Sequence, residues 1–197
     1  MEIFNIDELN KVKKEAIENH IPIIMDESLE VIKNILIKEN PKRILEIGTA
    51  VGYSASQFAR YASEAKVDTI ELDEIKYNKA KENIKKIGLN NRINIFLGNA
   101  VEILPTLNEE YDIIFIDANK GKYPVFLQEA IRLSHPGSLI IADNILYKGY
   151  VMSDYNLHKQ RTAVRHLREY IKNATEDKML DTKILEVGDG LAISRVK

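Results

Sequence analysis

The 197-residue chain has no cysteine. Disulfides, thiolate metal sites and a cysteine nucleophile are thereby excluded, and a reducing compartment is the simplest setting. Also missing is any apolar run near the roughly 18 residues that a membrane span needs. The stretch from Met1 to Glu8 has no basic segment leading into an apolar one, so it does not read as a targeting signal. We therefore expect a cytoplasmic protein with no membrane partner. Neither sign of charge dominates: 28 Lys and Arg stand against 30 Asp and Glu, a formal net charge of -2. No global positive field pulls the chain onto nucleic acid, and any such contact must be local. No repeat, low-complexity tract or Pro/Gly/Ser-rich linker divides it. With 45% hydrophobic residues it can bury one sizeable core, and a single domain spanning 1–197 is expected.

What is present is an alternation of two periodicities. Leu9, Val12, Ala16 and Ile17 fall on one side of a helix from Asp7, its N-cap, to Asn19, and a second helix is expected over Glu27–Glu39, stopped by Asn40-Pro41. Strands are then expected at Arg43–Ile47, Val67–Glu71, Arg92–Leu97, Tyr111–Ile116 and Ser138–Ala142, the last preceded by a turn at His135-Pro136-Gly137. Helices fall between them at Ser54–Tyr61, Glu74–Ile87 (with a Gly88 stop), Ala100–Leu104 and Tyr123–Leu133. Alternating strands and helices imply an α/β fold with a doubly wound, mostly parallel sheet. The ending differs: a helix over Asn156–Asn173 leads to strands Met179–Val187 and Leu191–Val196, joined by Gly188-Asp189-Gly190, which reads as an antiparallel hairpin.

In such sheets ligands sit beyond the carboxyl ends of the strands. The first strand runs out as Glu46-Ile47-Gly48-Thr49-Ala50-Val51-Gly52-Tyr53-Ser54. Gly48 and Gly52 let backbone approach a ligand, and Ser54 opens a helix whose free N–H groups favour a carboxylate. This is not the dinucleotide G-x-G-x-x-G pattern, which argues against a nicotinamide dehydrogenase. Glu46 ahead of the glycines suits a ligand carrying an ammonium group, and Glu71, ending the second strand, can accept hydrogen bonds from both hydroxyls of a ribose. Taken alone, the glycine pair also fits an ordinary tight turn.

Strand four ends Asp117-Ala118-Asn119-Lys120 and strand five ends Asp143-Asn144. If these strands are neighbours, two carboxylates and an amide oxygen converge, and an all-oxygen set without His or Cys selects a hard cation such as Mg²⁺. Lys120 would bring an amine to a substrate hydroxyl. The alternative is that Asp117 caps a helix and Asp143-Asn144 forms a turn.

In combination, Glu46-Ile-Gly-Thr-Ala-Val-Gly-Tyr-Ser54, Ile70-Glu71, Asp117-Ala-Asn-Lys120, Asp143-Asn144 and the Val187-Gly-Asp-Gly-Leu191 hairpin resemble the metal-dependent, catechol-type O-methyltransferases of class I. The resemblance covers nearly the whole chain. It implies a Rossmann-like fold with a mostly parallel seven-stranded sheet, helices on both faces and a C-terminal antiparallel hairpin, with N-terminal helices (1–40) covering the site. It implies S-adenosylmethionine as cofactor, held at its methionine end by Glu46, Gly48, Ser54 and backbone near Ile24, at its ribose by Glu71 and at its adenine by Asn99 and Ala100. Asp117, Asp143 and Asn144 would bind Mg²⁺, with Asp117 also touching the cofactor, and Lys120 beside Asp117 would be the catalytic base, its amine equally able to act by stabilising the oxyanion. Many relatives carry Asp where this chain has Asn99; an amide both donates and accepts, so the adenine contact survives with altered geometry. The family also suggests a homodimer.

A cation with open positions grips two adjacent oxygens, so the acceptor hydroxyl should have an oxygen neighbour, as in a catechol or in 5-hydroxyuridine with its 4-carbonyl. Ala118 and Asn119 are small and polar where catechol enzymes have bulky side chains. The run Asp143-Asn-Ile-Leu-Tyr-Lys148-Gly-Tyr-Val151, with His20-Ile-Pro-Ile23 upstream, is similar to bacterial tRNA 5-hydroxyuridine methyltransferases, which makes tRNA the expected partner. Between Lys148 and Lys172 six Lys and Arg stand against Asp154 and Glu169. Lys148 and the helical series Arg161, Arg165 and Arg168 are candidates for phosphates, although composition equally fits a solvated helix face. Tyr147, Tyr150 and Tyr155 could stack on a base or pack inside; His20, His135, His158 and His166 form no convincing ligand set. A small phenolic acceptor is the rival within enzymes. A catalytically silent S-adenosylmethionine-binding protein is the rival outside them, opposed by the joint presence of Asp117, Lys120, Asp143 and Asn144.

Overall fold

The computed structural model describes residues 4–154 and 160–197. By its internal contacts the chain divides after Ile103 into two compact units.

In the first unit, helix α1 spans Ile6–Glu18 and α2 spans Asp26–Glu39. The cap of α1 is Asn5 and not Asp7: the Asn5 side-chain oxygen accepts from the N–H groups of Asp7 and Glu8 at 3.1 and 3.2 Å. Asp7 thus sits in the first turn, where its charge still complements the helix dipole. Leu9, Val12 and Ala16 are buried and α1 packs on α4 (Glu74–Ile87). Helix α2 ends at Asn40 in the left-handed region (φ 46°), ahead of Pro41. Strand β1 (Arg43–Ile47) has four consecutive buried residues, as a strand covered on both faces must. It pairs in parallel with β2 (Lys66–Glu71), which pairs in parallel with β3 (Ile93–Leu97), while α3 (Tyr53–Tyr61) and the four-residue α5 (Ala100–Ile103) complete the unit. Gly52 caps α3 at φ +81°, and a Cβ there would meet Ile84 at 3.1 Å, so glycine is required both by conformation and by the close approach of α4.

In the second unit, β4 (Tyr111–Ile116) and β5 (Ser134–Asp143) are parallel, with α6 (Tyr123–Arg132) between them in sequence. The turn expected at His135–Gly137 lies within β5. Tyr111 pairs with Ser134 but Ile113 already pairs with Leu139, so the extra residues are accommodated as a bulge in which the His135 N–H donates to the Ser138 hydroxyl. Helix α7 begins at Arg161 and runs to Glu176; the expected start at Asn156 lies outside the described residues. Of the last two strands, β6 is shorter than expected, covering Leu180–Leu185, whereas β7 covers Leu191–Val196 as expected. Both β5 and β6 pair antiparallel with β7. The seven strands are ordered β3-β2-β1 in the first unit and β4-β5-β7-β6 in the second. Among the described residues no helix is long and apolar enough to cross a membrane.

Candidate active site

The carboxyl ends of β1, β2 and β3 carry the first group of expected site residues. Glu46 is wholly buried, and its Oε2 accepts the Thr69 hydroxyl at 2.6 Å. Because the Thr69 proton goes to Glu46, the 2.6 Å contact between the Thr49 and Thr69 hydroxyls has Thr49 as donor. A line of hydroxyls therefore orients the carboxyl group. The sequence reading missed both threonines. Register explains why, since Thr69 stands directly opposite Glu46 across the β1–β2 pair, and that pairing cannot be read from either strand alone.

Glu71 is buried at the end of β2, its Oε2 accepting the Ala50 N–H at 2.7 Å and its Oε1 the Asp73 N–H at 2.9 Å. Each oxygen can accept further bonds, so the backbone fixes the carboxylate without exhausting it. Ala50 reaches Glu71 by adopting φ +47°, between Gly48 (φ +108°) and Gly52. Ser54 is half-buried in the first turn of α3, and Ile24 is buried in the segment ahead of α2. At the end of β3, the Gly98 N–H donates to Glu71 O at 2.8 Å. Asn99 is exposed and its side-chain oxygen accepts the Val101 N–H at 3.1 Å, holding the turn that presents Ala100.

The second group lies at the carboxyl ends of β4 and β5. Lys120 Nζ is 3.3 Å from Asp117 Oδ1 and 3.1 Å from Asn144 Oδ1. One carboxylate oxygen and one amide oxygen, from the two strand ends, thus meet at Lys120 Nζ. Asp143 is wholly buried, and its Oδ1 accepts the Asn144 N–H at 2.7 Å. Asn144 holds φ +56°, a conformation Asn tolerates better than most residues, which turns its amide toward Lys120. Among the described residues no cluster of three or more His, Cys, Asp or Glu is arranged to hold a metal; the set here comprises two carboxylates and an amide.

A residue absent from the sequence reading completes this group. Tyr123 is wholly buried, its hydroxyl donating to Asp143 O at 2.9 Å with Ile116 O at 3.3 Å. Burial first, then Asp117 and Asp143, hold its ionisation well above the ordinary phenol range, so the hydroxyl keeps its proton. The only signal in the sequence was a tyrosine three residues after Lys120.

The candidate phosphate contacts are less uniform than expected. Arg161, Arg165 and Arg168 are all exposed on α7. Arg168, however, donates to Val151 O at 3.0 Å and also to Tyr150 O and Ser153 O. It braces the loop after β5 where a free row of three cations was expected. Arg165 lies 3.4 Å from His166 Nε2. Lys148 is exposed and its N–H bonds Asp189. Tyr147 and Tyr150 pack edge to face, with centroids 5.9 Å apart. Tyr155, His158 and Lys159 lie outside the described residues. His135 is more than a turn residue: its Nε2 is 3.0 Å from Asp112 Oδ1, tying the bulge to β4.

A family model described as O-methyltransferase matches residues 2–197. This chain belongs to the O-methyltransferase family. The enzyme is 38% identical over 166 residues to a catechol O-methyltransferase of Niastella koreensis, covering 79% of this chain and 74% of that one. It superposes with a TM-score of 0.90 on a Staphylococcus aureus structure provisionally assigned as a caffeoyl-CoA O-methyltransferase, at 34% identity over 96% of this chain and 92% of that one. A Bacillus cereus O-methyltransferase solved with SAH gives a TM-score of 0.86 at 27% identity, covering 97% of this chain and 91% of the other. The Rossmann-like methyltransferase fold expected from the sequence is thus the fold observed.

Proposed function

We propose that this enzyme transfers the methyl group of S-adenosylmethionine to a hydroxyl flanked by a second oxygen, with Mg²⁺ held by Asp117, Asp143 and Asn144, and that the acceptor is 5-hydroxyuridine in tRNA. The observation that carries the reading is the convergence of Asp117 Oδ1 and Asn144 Oδ1 on Lys120 Nζ, at 3.3 and 3.1 Å. A cation already satisfies oxygens from both strand ends, so the donor set fits a hard divalent ion, which commonly takes one or two carboxylates and leaves positions to substrate oxygens. When bound, such an ion would acidify and orient the acceptor hydroxyl.

Cofactor binding rests on Glu46, Glu71 and the glycine turn, and on the SAH held by the Bacillus cereus relative. In the proposed roles Glu71 takes the ribose hydroxyls, Glu46 faces the ammonium end, and Gly48, Ser54 and the segment at Ile24 line the methionine end. The Asn99–Ala100 turn takes the adenine. The acceptor oxygen attacks the methyl carbon, the carbon–sulfur bond breaks with its electron pair going to sulfur, and the hydroxyl proton passes to Lys120 Nζ in its neutral amine form, the ammonium having first released a proton to solvent. Positioning supplies much of the acceleration in such an in-line displacement. The tRNA acceptor is supported by the small Ala118-Asn119 wall and by exposed Arg161 and Arg165.

A second reading, a small phenolic acceptor, is favoured by the catechol O-methyltransferase relative. Incubation with S-adenosylmethionine and Mg²⁺ against hydroxyuridine-containing tRNA and a catechol and caffeoyl panel, followed by mass spectrometry, separates the two. Methoxyuridine formation with inert phenols supports the first; phenol methylation with inert tRNA overturns it.

A further inference from the structure

We infer that the Tyr123 hydroxyl is a positioning residue that locks the ends of β4 and β5 and the Lys120 amine into the arrangement in which the oxygen donors converge; this rests on the metal-dependent reading above. Three bonds of one oxygen make the case. The hydroxyl donates to Asp143 O at 2.9 Å, the carbonyl immediately before Asn144. It lies 3.3 Å from Ile116 O, the carbonyl immediately before Asp117. It lies 3.4 Å from Lys120 Nζ, whose proton it can accept, and the ammonium also sits 5.4 Å from the ring centroid, within cation–π range.

Each of the groups that Tyr123 touches is thus one peptide unit from a proposed ligand, or is the amine that spans two of them. The ring itself is held by the first turn of α6 and by Tyr170 of α7, edge-on with centroids 5.6 Å apart. Both tyrosines are fully buried. Only one hydroxyl is engaged, however, because among the described residues the buried Tyr170 hydroxyl has no hydrogen-bond partner. The two rings therefore form a natural comparison. Deleting either hydroxyl removes one buried oxygen from the same packing, but only the deletion at Tyr123 frees the strand ends. Partners that orient metal ligands are typically worth about 10- to 100-fold in metal affinity or activity.

The test uses the full chain with S-adenosylhomocysteine, and Mn²⁺ as a paramagnetic probe of the cation position. For Tyr123→Phe we expect the Mn²⁺ dissociation constant to rise about tenfold or more, as for other partners that orient metal ligands. kcat should fall while KM for S-adenosylmethionine and the affinity for S-adenosylhomocysteine stay as in the wild type. Tyr170→Phe should leave Mn²⁺ affinity unchanged. Site-specific 3-fluorotyrosine at position 123 supplies a second measurement that keeps the hydroxyl, and its ¹⁹F resonance should shift on adding Mg²⁺. Wild-type protein that takes up no Mn²⁺ would overturn the metal-dependent reading and this inference with it. Normal wild-type uptake together with unchanged Mn²⁺ affinity in Tyr123→Phe, equal weakening in Tyr170→Phe, or a fluorine resonance indifferent to Mg²⁺ would overturn this inference alone.

Discussion

The Thr69 hydroxyl donates to the buried Glu46 carboxyl across the β1–β2 pair at 2.6 Å and is itself held by Thr49. Thr69→Val keeps the shape but removes this donor, and should cost about 1–3 kcal/mol of stability while weakening cofactor binding. Thr69→Ser should restore both. Chemical denaturation and calorimetry on the three proteins would show it, and a Val variant matching the wild type in both would remove the hydroxyl line from the account.

Glu71 is fixed by the N–H groups of Ala50 and Asp73 while keeping capacity for two more hydrogen bonds. Glu71→Ala should weaken S-adenosylmethionine binding by about 1.5–3 kcal/mol, the range for losing hydrogen bonds to a charged group. Isothermal titration reads this directly; unchanged affinity in a folded variant would exclude Glu71 from the ribose contact.

His135 has its pKa raised above the usual 6.5, first by the Pro136 carbonyl and then by Asp112. A raised folded-state pKa means that the stabilisation is fully present below the unfolded value and fades as pH rises through the folded one. The stability difference between the wild type and Asp112→Asn should therefore be largest near pH 5 and shrink above neutrality. Thermal melts across that range test it; a difference growing with pH would contradict the assignment.

Exposed Arg161 and Arg165 remain the candidates for phosphate contacts, whereas Arg168 is committed to the loop carbonyls. Replacing Arg161 and Arg165 by Ala should raise KM for hydroxyuridine tRNA and lower the slope of log affinity against log salt by about 2, one per lost contact. Arg168→Ala should instead lower thermal stability. An unchanged salt slope in the double variant would return these charges to an ordinary solvated face.

Local pattern carried much of the architecture. Arg43–Ile47, Glu74–Ile87, Tyr111–Ile116 and Leu191–Val196 are legible as written because apolar periodicity and end signals such as Gly88 coincide there. The His135–Gly137 bulge was not legible, because turn-forming residues that interrupt a strand look the same in sequence as those that precede one. The α1 cap was misplaced by two residues because Asn5 and Asp7 are both good caps. At the candidate site, ionisable residues at strand ends stood out, but Thr69 and Tyr123 did not. Their importance lies in strand register and in backbone carbonyls brought together only by folding. Arg168 shows the converse, a charge that sequence assigns to a ligand and folding assigns to the protein's own backbone.

The most direct test of the account is methyl transfer measured by mass spectrometry of the acceptor, using hydroxyuridine tRNA, catechol and S-adenosylmethionine, with and without a chelator. Asp117, Asp143 and Asn144 as an oxygen site for Mg²⁺ predict that chelation abolishes transfer, that Mg²⁺ restores it, and that cofactor binding survives throughout. The tRNA should be the acceptor modified. Full turnover by metal-free enzyme would contradict the proposed chemistry whatever the acceptor, and efficient methylation of catechol with inert tRNA would contradict the proposed substrate.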